Sequence, residues 1–313
     1  MRIVTFAIAE EARLGAVVGD LVVDLPGSYA AWRRSQAMAG ESEAQFAALP
    51  ATALDLLRAG EPALAVARQM AAYWSAPEQS DALRRVGLAY PADAVTFLPP
   101  ILTPGKIICL GQNYRKHIEE MGHEQPKFPV LFAKFPNVLV GHRQQIVLPT
   151  VSQKVDYEAE LAVVIGRTGK HIAHENAFEY IAGYTCFNDV SVRDYQTRTP
   201  EWLQGKSFDT CGPLGPALVT ADEISNPPAL DIMTRLNGEV MQHSNTSDLF
   251  FDIPTVINYI SQIMTLEPGD VIATGTPGGV GVARNPQVFL KAGDVVQVEI
   301  ASLGVLENSV IAG

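Results

Sequence analysis

Apolar and polar positions along this chain fall into two regimes that change over near residue 100. Residues 2–9, 12–17 and 21–25 read as short strands, the last two folding about the Gly19-Asp20 turn. From 29 to 77 the spacing turns helical, as at Leu54 and Leu57, then Leu64, Ala67 and Met70. Gly60-Glu61-Pro62 interrupts it, and Pro62 suits the start of the next helix. Pro99-Pro100 and Pro104-Gly105 then form a stiff connector, which places a boundary between 92 and 105.

Beyond it, runs of Val, Ile and Leu predict strands at 107–110, 130–132, 161–165, 217–219, 271–274 and 295–300. Helices are few: 114–121, 176–181 and 254–264, the last with Asp252 as N-cap and Pro254 near its start. Long β content with scattered helices predicts an α+β fold, with residues 1–95 as an N-terminal domain and 96–313 as the main one. No internal repeat is visible.

Composition narrows the partners. Asp and Glu outnumber Lys and Arg by 34 to 23, a formal charge of -11, and no basic run appears. Nucleic acid is thereby excluded, and an anionic substrate must be attracted by a local feature. No stretch approaches the ~20 apolar residues of a membrane span, and the first residues are too short an apolar run for a signal peptide. Cys109, Cys186 and Cys211 form no CxxC pair and read as reduced thiols, which predicts a cytoplasmic protein.

The first candidate chemistry is Asp156-Tyr157-Glu158-Ala159-Glu160. On one strand its acids share a face, and alternate residues lie about 6.6 Å apart. Two such charges repel by about 2.5 kcal/mol at an effective dielectric near 20. The face is therefore either solvated or holds a cation. The strand runs into Ala162-Val163-Val164-Ile165, an interior-type run, and Asp189 closes another apolar segment. Three carboxylates without Cys or paired His suit Mg2+ or Mn2+ rather than zinc.

Four further stretches carry polar chemistry. His117 and Glu120 are three apart on a helix, where the acid can fix the imidazole tautomer as a general base needs; an exposed ion pair is the plainer reading. Arg193 and Gln196 follow Asp189, and the Arg can clamp a carboxylate or be ordinary surface charge. Lys206, in a Gly-flanked loop, can stabilise an enolate or simply be solvated. The Gly-rich stretch 274–281, with Thr276, follows a strand and offers backbone amides to an anion, but no Gly-Lys-Ser/Thr makes it a phosphate loop. His171, His174 and His123 read as structural or solvent-facing, and Cys186 and Cys211 as buried small hydrophobes.

Taken together and in order, these stretches resemble the fumarylacetoacetate hydrolase family over about residues 104–310. The resemblance rests on Asn113-Tyr114 leading to His117 and Glu120, then Asp156 to Ala162, Gly183-Tyr184 through Asn188-Asp189 to Arg193 and Gln196, Gly205 to Asp209, and Pro268-Gly269-Asp270 to Gly275-Thr276-Pro277. It implies a rolled mixed β-sheet with a smaller N-terminal α/β domain, assembled as a homodimer. It implies Glu158, Glu160 and Asp189 as ligands of Mg2+ or Mn2+, a place Ca2+ can take in a crystal. His117 and Glu120 become a water-activating dyad on a lid, Lys206 a catalytic cation, and Arg193, Gln196 and Thr276 substrate contacts. The stretch 110–113 lacks the further acidic ligand of fumarylacetoacetase itself, which favours the bacterial acylpyruvate branch. The expected reaction is hydrolysis of a C–C bond in a 2,4-dioxo acid such as fumarylpyruvate or maleylpyruvate, giving pyruvate and a carboxylic acid, in aromatic or sugar-acid catabolism. The alternatives are an oxaloacetate decarboxylase or tautomerase, a 2-hydroxymuconate-type isomerase or hydratase, and a metal-binding module without activity.

Overall fold

The computed structural model describes residues 1–38, 48–122, 124–225 and 229–313. Part of the helical stretch expected at 29–77, and His123, lie outside the described residues. The Gly19 turn, with φ at +61°, joins strands Glu11–Val18 and Leu21–Asp24, and Gly60 and Pro62 start the helix Glu61–Tyr73. Asp252 caps Ile253–Ile263 by accepting from the Thr255 N–H at 2.9 Å. The helix expected at 176–181 is instead a 3-10 turn over His174–Tyr180.

One large mixed sheet runs through the molecule. Its order is Ala89–Pro91, Leu21–Asp24, Glu11–Val18, Arg2–Ile8, Gly212–Thr220, Ile181–Asn188, Ala159–Ile165, Val271–Ala273, Ile107–Gly111 and Val130–Lys134. Arg2–Ile8 pairs antiparallel with Gly212–Thr220, so strands from both ends of the chain share the sheet. Only Val271–Ala273 and Ile107–Gly111 are parallel neighbours along this order. A second sheet contains the hairpin Asp231–Leu236 and Glu239–Asn245, followed by Val295–Ile300, Gly304–Ala312 and Gln145–Leu148. Asn237-Gly238, both at positive φ, turns the hairpin, the left-handed geometry such two-residue turns require.

Side-chain alternation sorts the core. Along Ala159–Ile165, Leu161, Val163 and Ile165 pack with Ile232, Val298 and the helix Ile253–Ile263. Ala162 and Val164 face the other way, into a cluster with Leu56, Ala67 and Met70 of the N-terminal helices. Both faces of this central strand are thus covered. Close packing of the sheet is visible at Gly183, where an added Cβ would lie 2.1 Å from Val219 O across the ladder. Gly183→Ala is expected to cost about 1–3 kcal/mol of stability, read as a lower midpoint in denaturant unfolding at unchanged slope; an unchanged midpoint would show that the ladder yields freely. Among the described residues no helix is long and apolar enough to cross a membrane.

Candidate metal centre

The acidic stretch is not one strand. Val155–Asp156 pairs with Ser191–Val192 in a separate short ladder, Tyr157 and Glu158 lie between ladders, and the regular strand begins at Ala159. The shared face expected from simple alternation is therefore broken at Glu158. What replaces it is a bond across the sheet end: the Glu158 N–H donates to Asn188 Oδ1 at 3.0 Å, and Glu158 O accepts from the Asp189 N–H at 2.9 Å. That pairing brings Glu158 beside Asp189, just past the end of Ile181–Asn188. Carboxylate oxygens of Glu158, Glu160 and Asp189 all lie within 4.8 Å of one another, and all three residues are buried.

Burying three acids together demands compensating charge. Lys206 Nζ donates to Glu158 Oε2 at 2.8 Å and Asp189 Oδ2 at 2.7 Å. Arg193 Nη1 reaches Glu158 Oε1 at 2.6 Å. Lys134, which sequence reasoning missed, donates to Asp189 Oδ1 at 2.6 Å from full burial. Burial pushes the Glu158 carboxyl up, but Lys206 and Arg193 outweigh it and hold the group at about 2. Burial pulls the Lys206 ammonium down, yet Asp189 and Glu158 raise it overall, so it stays charged.

Glu160 is the exception. It is 1% exposed, and among the described residues its carboxylate accepts one hydrogen bond, from the Gly275 N–H at 2.8 Å. Burial, with Asp189 and Glu158 beside it, pushes its carboxyl well above the ordinary range. This acid lacks the side-chain cation its two neighbours have, and an all-oxygen set completed by a hard divalent cation supplies one. Glu158, Glu160 and Asp189 thus fit a hard divalent cation.

The expected residues converge on one cavity of about 210 Å3. His117, Glu158, Glu160, Arg193, Gln196, Lys206 and Thr276 line it, with Asp189 and Glu120 behind them. Two wider surface grooves, of about 620 and 630 Å3, share no lining residue with it. Asn113 sets the lid: its Nδ2 donates to Thr274 O at 2.8 Å and its Oδ1 accepts from the Phe251 N–H at 2.7 Å, so the helix Arg115–Glu120 starts at the cavity edge. His117 Nδ1 lies 3.5 Å from Glu120 Oε2, the outer limit of contact. Glu120 also accepts from the Gly279 N–H at 3.0 Å. Burial raises its carboxyl, but His117 and that N–H lower it overall.

The Gly-rich loop behaves as expected in one respect and differs in another. Its amides do bind anions, but these are the protein's own: Gly275 holds Glu160, Gly279 holds Glu120, and Gly281 and Val282 hold Asp156 at 2.8 and 2.9 Å. Arg193, expected to clamp a substrate, spends its guanidinium on Asp156, Glu158 and Gln196. Also unexpected is Trp202, held at φ +61° with its indole against Gly111 and edge-on to Phe132 at 5.6 Å, closing the apolar side of the cavity. All three cysteines are buried and unpaired; burial pushes Cys186 up to about 12 and Cys211 to about 11, which suits inert core thiols.

Residues 106–311 match the family model described as fumarylacetoacetate (FAA) hydrolase C-terminal. The chain is 48% identical over 265 residues to the mitochondrial oxaloacetate tautomerase Fahd2a of Rattus norvegicus, covering 84% of this chain and 81% of the relative. Its fold is similar to the fumarylacetoacetate hydrolase of Exiguobacterium antarcticum, at TM-score 0.79 and 34% identity over the whole of both chains. It is also similar to maleylpyruvate hydrolase of Sphingobium sp. SYK-6 in complex with manganese(II) and pyruvate, at TM-score 0.71 and 30% identity over the whole of both.

Proposed function

The chain belongs to the fumarylacetoacetate hydrolase family, and from that premise we propose that it interconverts the keto and enol forms of a short 2-oxo dicarboxylic acid of the oxaloacetate type. The carrying observation is the cavity, about 210 Å3, closed by Trp202 and lined on its polar side by Lys206, Gln196 and Thr276. That is below the roughly 300–1,000 Å3 of sites for drug-sized ligands, and suits an acid of about four carbons. The 48% identity to a tautomerase supports the same reading.

In tautomerisation a proton leaves C3, its electron pair forms the C2–C3 double bond, and the 2-oxo oxygen takes a proton; water is not consumed. Glu158, Glu160 and Asp189 would hold a divalent cation, which would supply Lewis-acid stabilisation of the developing negative charge. Lys206, kept as ammonium by Glu158 and Asp189, adds a second positive charge there. It cannot act as the base. His117 is the imidazole lining the cavity; it takes the proton from C3 and, as imidazolium, gives it to the 2-oxo oxygen, and the reverse transfer restores the keto form. Gln196 and Thr276 hold the substrate's carboxylate against that geometry. Burial of Lys206, at 1% exposed, and the indole lid of Trp202 keep bulk water from the enolate.

The second reading is hydrolysis of an acylpyruvate. The His117–Glu120 pair favours it, since activating water calls for such a dyad. Mn2+-loaded protein incubated with oxaloacetate, acetylpyruvate and fumarylpyruvate separates the two. Faster loss of enol absorbance with oxaloacetate, and no pyruvate from any of the three, is the expected result. Pyruvate from an acylpyruvate, with solvent oxygen in the released acid and no effect on oxaloacetate, would replace it with the hydrolase. Carbon dioxide from oxaloacetate would make the enzyme a decarboxylase. Buried free thiols suit a reducing compartment, cytoplasm among them.

A further inference from the structure

We infer that Gln242 is a positioning residue that fixes the Thr276 hydroxyl as a hydrogen-bond donor into the cavity, so that the ligand must present an acceptor at that point. Gln242 is 1% exposed on the strand Glu239–Asn245, opposite Thr234 across the hairpin. Its amide can lie only one way round. On one side it meets the Ala159 N–H at 3.0 Å, which can only donate, so that atom is the carbonyl oxygen. On the other it meets Pro277 O at 2.8 Å, which can only accept, so that atom is the nitrogen.

The consequence passes to the hydroxyls. Thr234 Oγ1, 2.6 Å from the Gln242 oxygen, donates to it. Thr276 Oγ1, 2.9 Å from the Gln242 nitrogen, accepts from it. With that lone pair engaged by an N–H, the Thr276 proton turns elsewhere; Thr276 lines the cavity, and no protein acceptor for this proton is found among the described residues. The same logic holds for Gln196, whose oxygen accepts from Arg193 Nη1 at 3.0 Å and whose NH2 is thereby left for the ligand. Lys206 is an ammonium. Apart from the Glu158 and Glu160 carboxylates, the polar wall of the cavity therefore offers donors, and an amide or ammonium N–H meeting Thr276 would find two donors facing.

The inference rests on the proposed reaction only for calling the acceptor a carboxylate, and its test avoids turnover. Binding of oxalate and of oxamate, in which one carboxylate oxygen becomes NH2, is measured by calorimetry on Mn2+-loaded protein. Gln242→Glu replaces the donor with an acceptor, so the Thr276 proton turns back toward residue 242. Oxalate should then bind about 10- to 100-fold more weakly, the worth of one hydrogen bond to a charged group, and its preference over oxamate should shrink. Thr276→Val should lose as much, Thr276→Ser should restore it, and adding Gln242→Glu to Thr276→Val should cost nothing further. Mn2+ affinity without oxalate should be unchanged throughout. Equal losses from Gln242→Glu with and without the Thr276 hydroxyl, or a fall in Mn2+ affinity, would make Gln242 a mere brace of the Ala159 strand and overturn the inference. Should the glutamate variant not fold, Gln242→Met frees the hydroxyl to rotate; an undiminished oxalate preference in it is equally fatal. A wild type that binds oxalate but catalyses neither reaction refutes the proposed function and leaves this inference standing.

Discussion

Glu160→Gln is expected to abolish metal-dependent turnover, by at least about a thousandfold, while making the metal-free protein more stable than the wild type. The three carboxylates are not equivalent. Glu158 is bonded by Lys206 and Arg193, and Asp189 by Lys134 and Lys206. Among the described residues the Glu160 carboxylate accepts only from the Gly275 N–H. At 4.8 Å two carboxylates repel by about 3 kcal/mol at an effective dielectric near 20. The neighbouring cations offset part of that, and Gln keeps the shape and still accepts from Gly275. A gain of about 1 kcal/mol or more in unfolding free energy follows for the metal-free variant. Saturating Mn2+ reverses the order, because the wild type alone gains about 2.7 kcal/mol at a hundredfold excess over its dissociation constant. Thermal unfolding with EDTA and with Mn2+ should therefore cross over. A variant less stable than the wild type in EDTA would show that Glu160 is satisfied without a cation.

On the proposed reading, that asymmetry is how an acidic protein would attract an acidic substrate. Counting Asp156, the centre buries four carboxylates against Lys134, Arg193 and Lys206, so the protein alone leaves one negative charge in excess. A divalent cation turns the balance to one positive charge, facing the cavity where Glu160 does. The rest of the wall adds donors without charge. Affinity for an oxo acid would then be local, and the overall charge of -11 would not oppose it at close range.

Much of this was legible in the sequence, because it depends on neighbours in the chain. The Gly19 turn, the Gly60-Pro62 helix start and the Asp252 cap follow from local chemistry, and the structure has them where expected. Seven of the nine expected site residues line one cavity, and Asp189 and Glu120 contact residues of that lining. What stayed hidden depends on contacts across long separations. Lys134 closes an apolar strand and reads as an edge lysine until Asp189, 55 residues on, is seen against it. Gln242 lies in the strand after the Asn237-Gly238 turn, and its partners Ala159 and Thr276 are 83 and 34 residues away. Alternation placed Glu158 with Glu160 on one strand; the break at Tyr157-Glu158 comes from Asn188 and Asp189 capturing the Glu158 backbone, which no local pattern encodes. Arg193 reads from sequence as a clamp for a substrate carboxylate, but the acids that claim it are the protein's own, 35 and 37 residues away.

His117→Ala should lower turnover by about 10²- to 10⁴-fold, the usual worth of a placed proton-transfer group, and leave Mn2+ affinity unchanged. His117 belongs to the lid helix and makes no hydrogen bond to Glu158, Glu160 or Asp189 that would tie it to the cation. Its imidazole lines the cavity beside Glu120, whose own bond to the Gly279 N–H holds the lid to the loop that carries Thr276. Proton exchange at C3 in deuterated water shows which step the imidazole serves. If His117 is the base of a tautomerase, exchange of oxaloacetate C3 protons and keto–enol interconversion slow together in the variant. If it activates water for hydrolysis, C3 exchange continues at the wild-type rate while release of acid from an acylpyruvate stops. Retention of both at full rate, with Mn2+ bound, would remove His117 from the chemistry and leave the lid as a cover only.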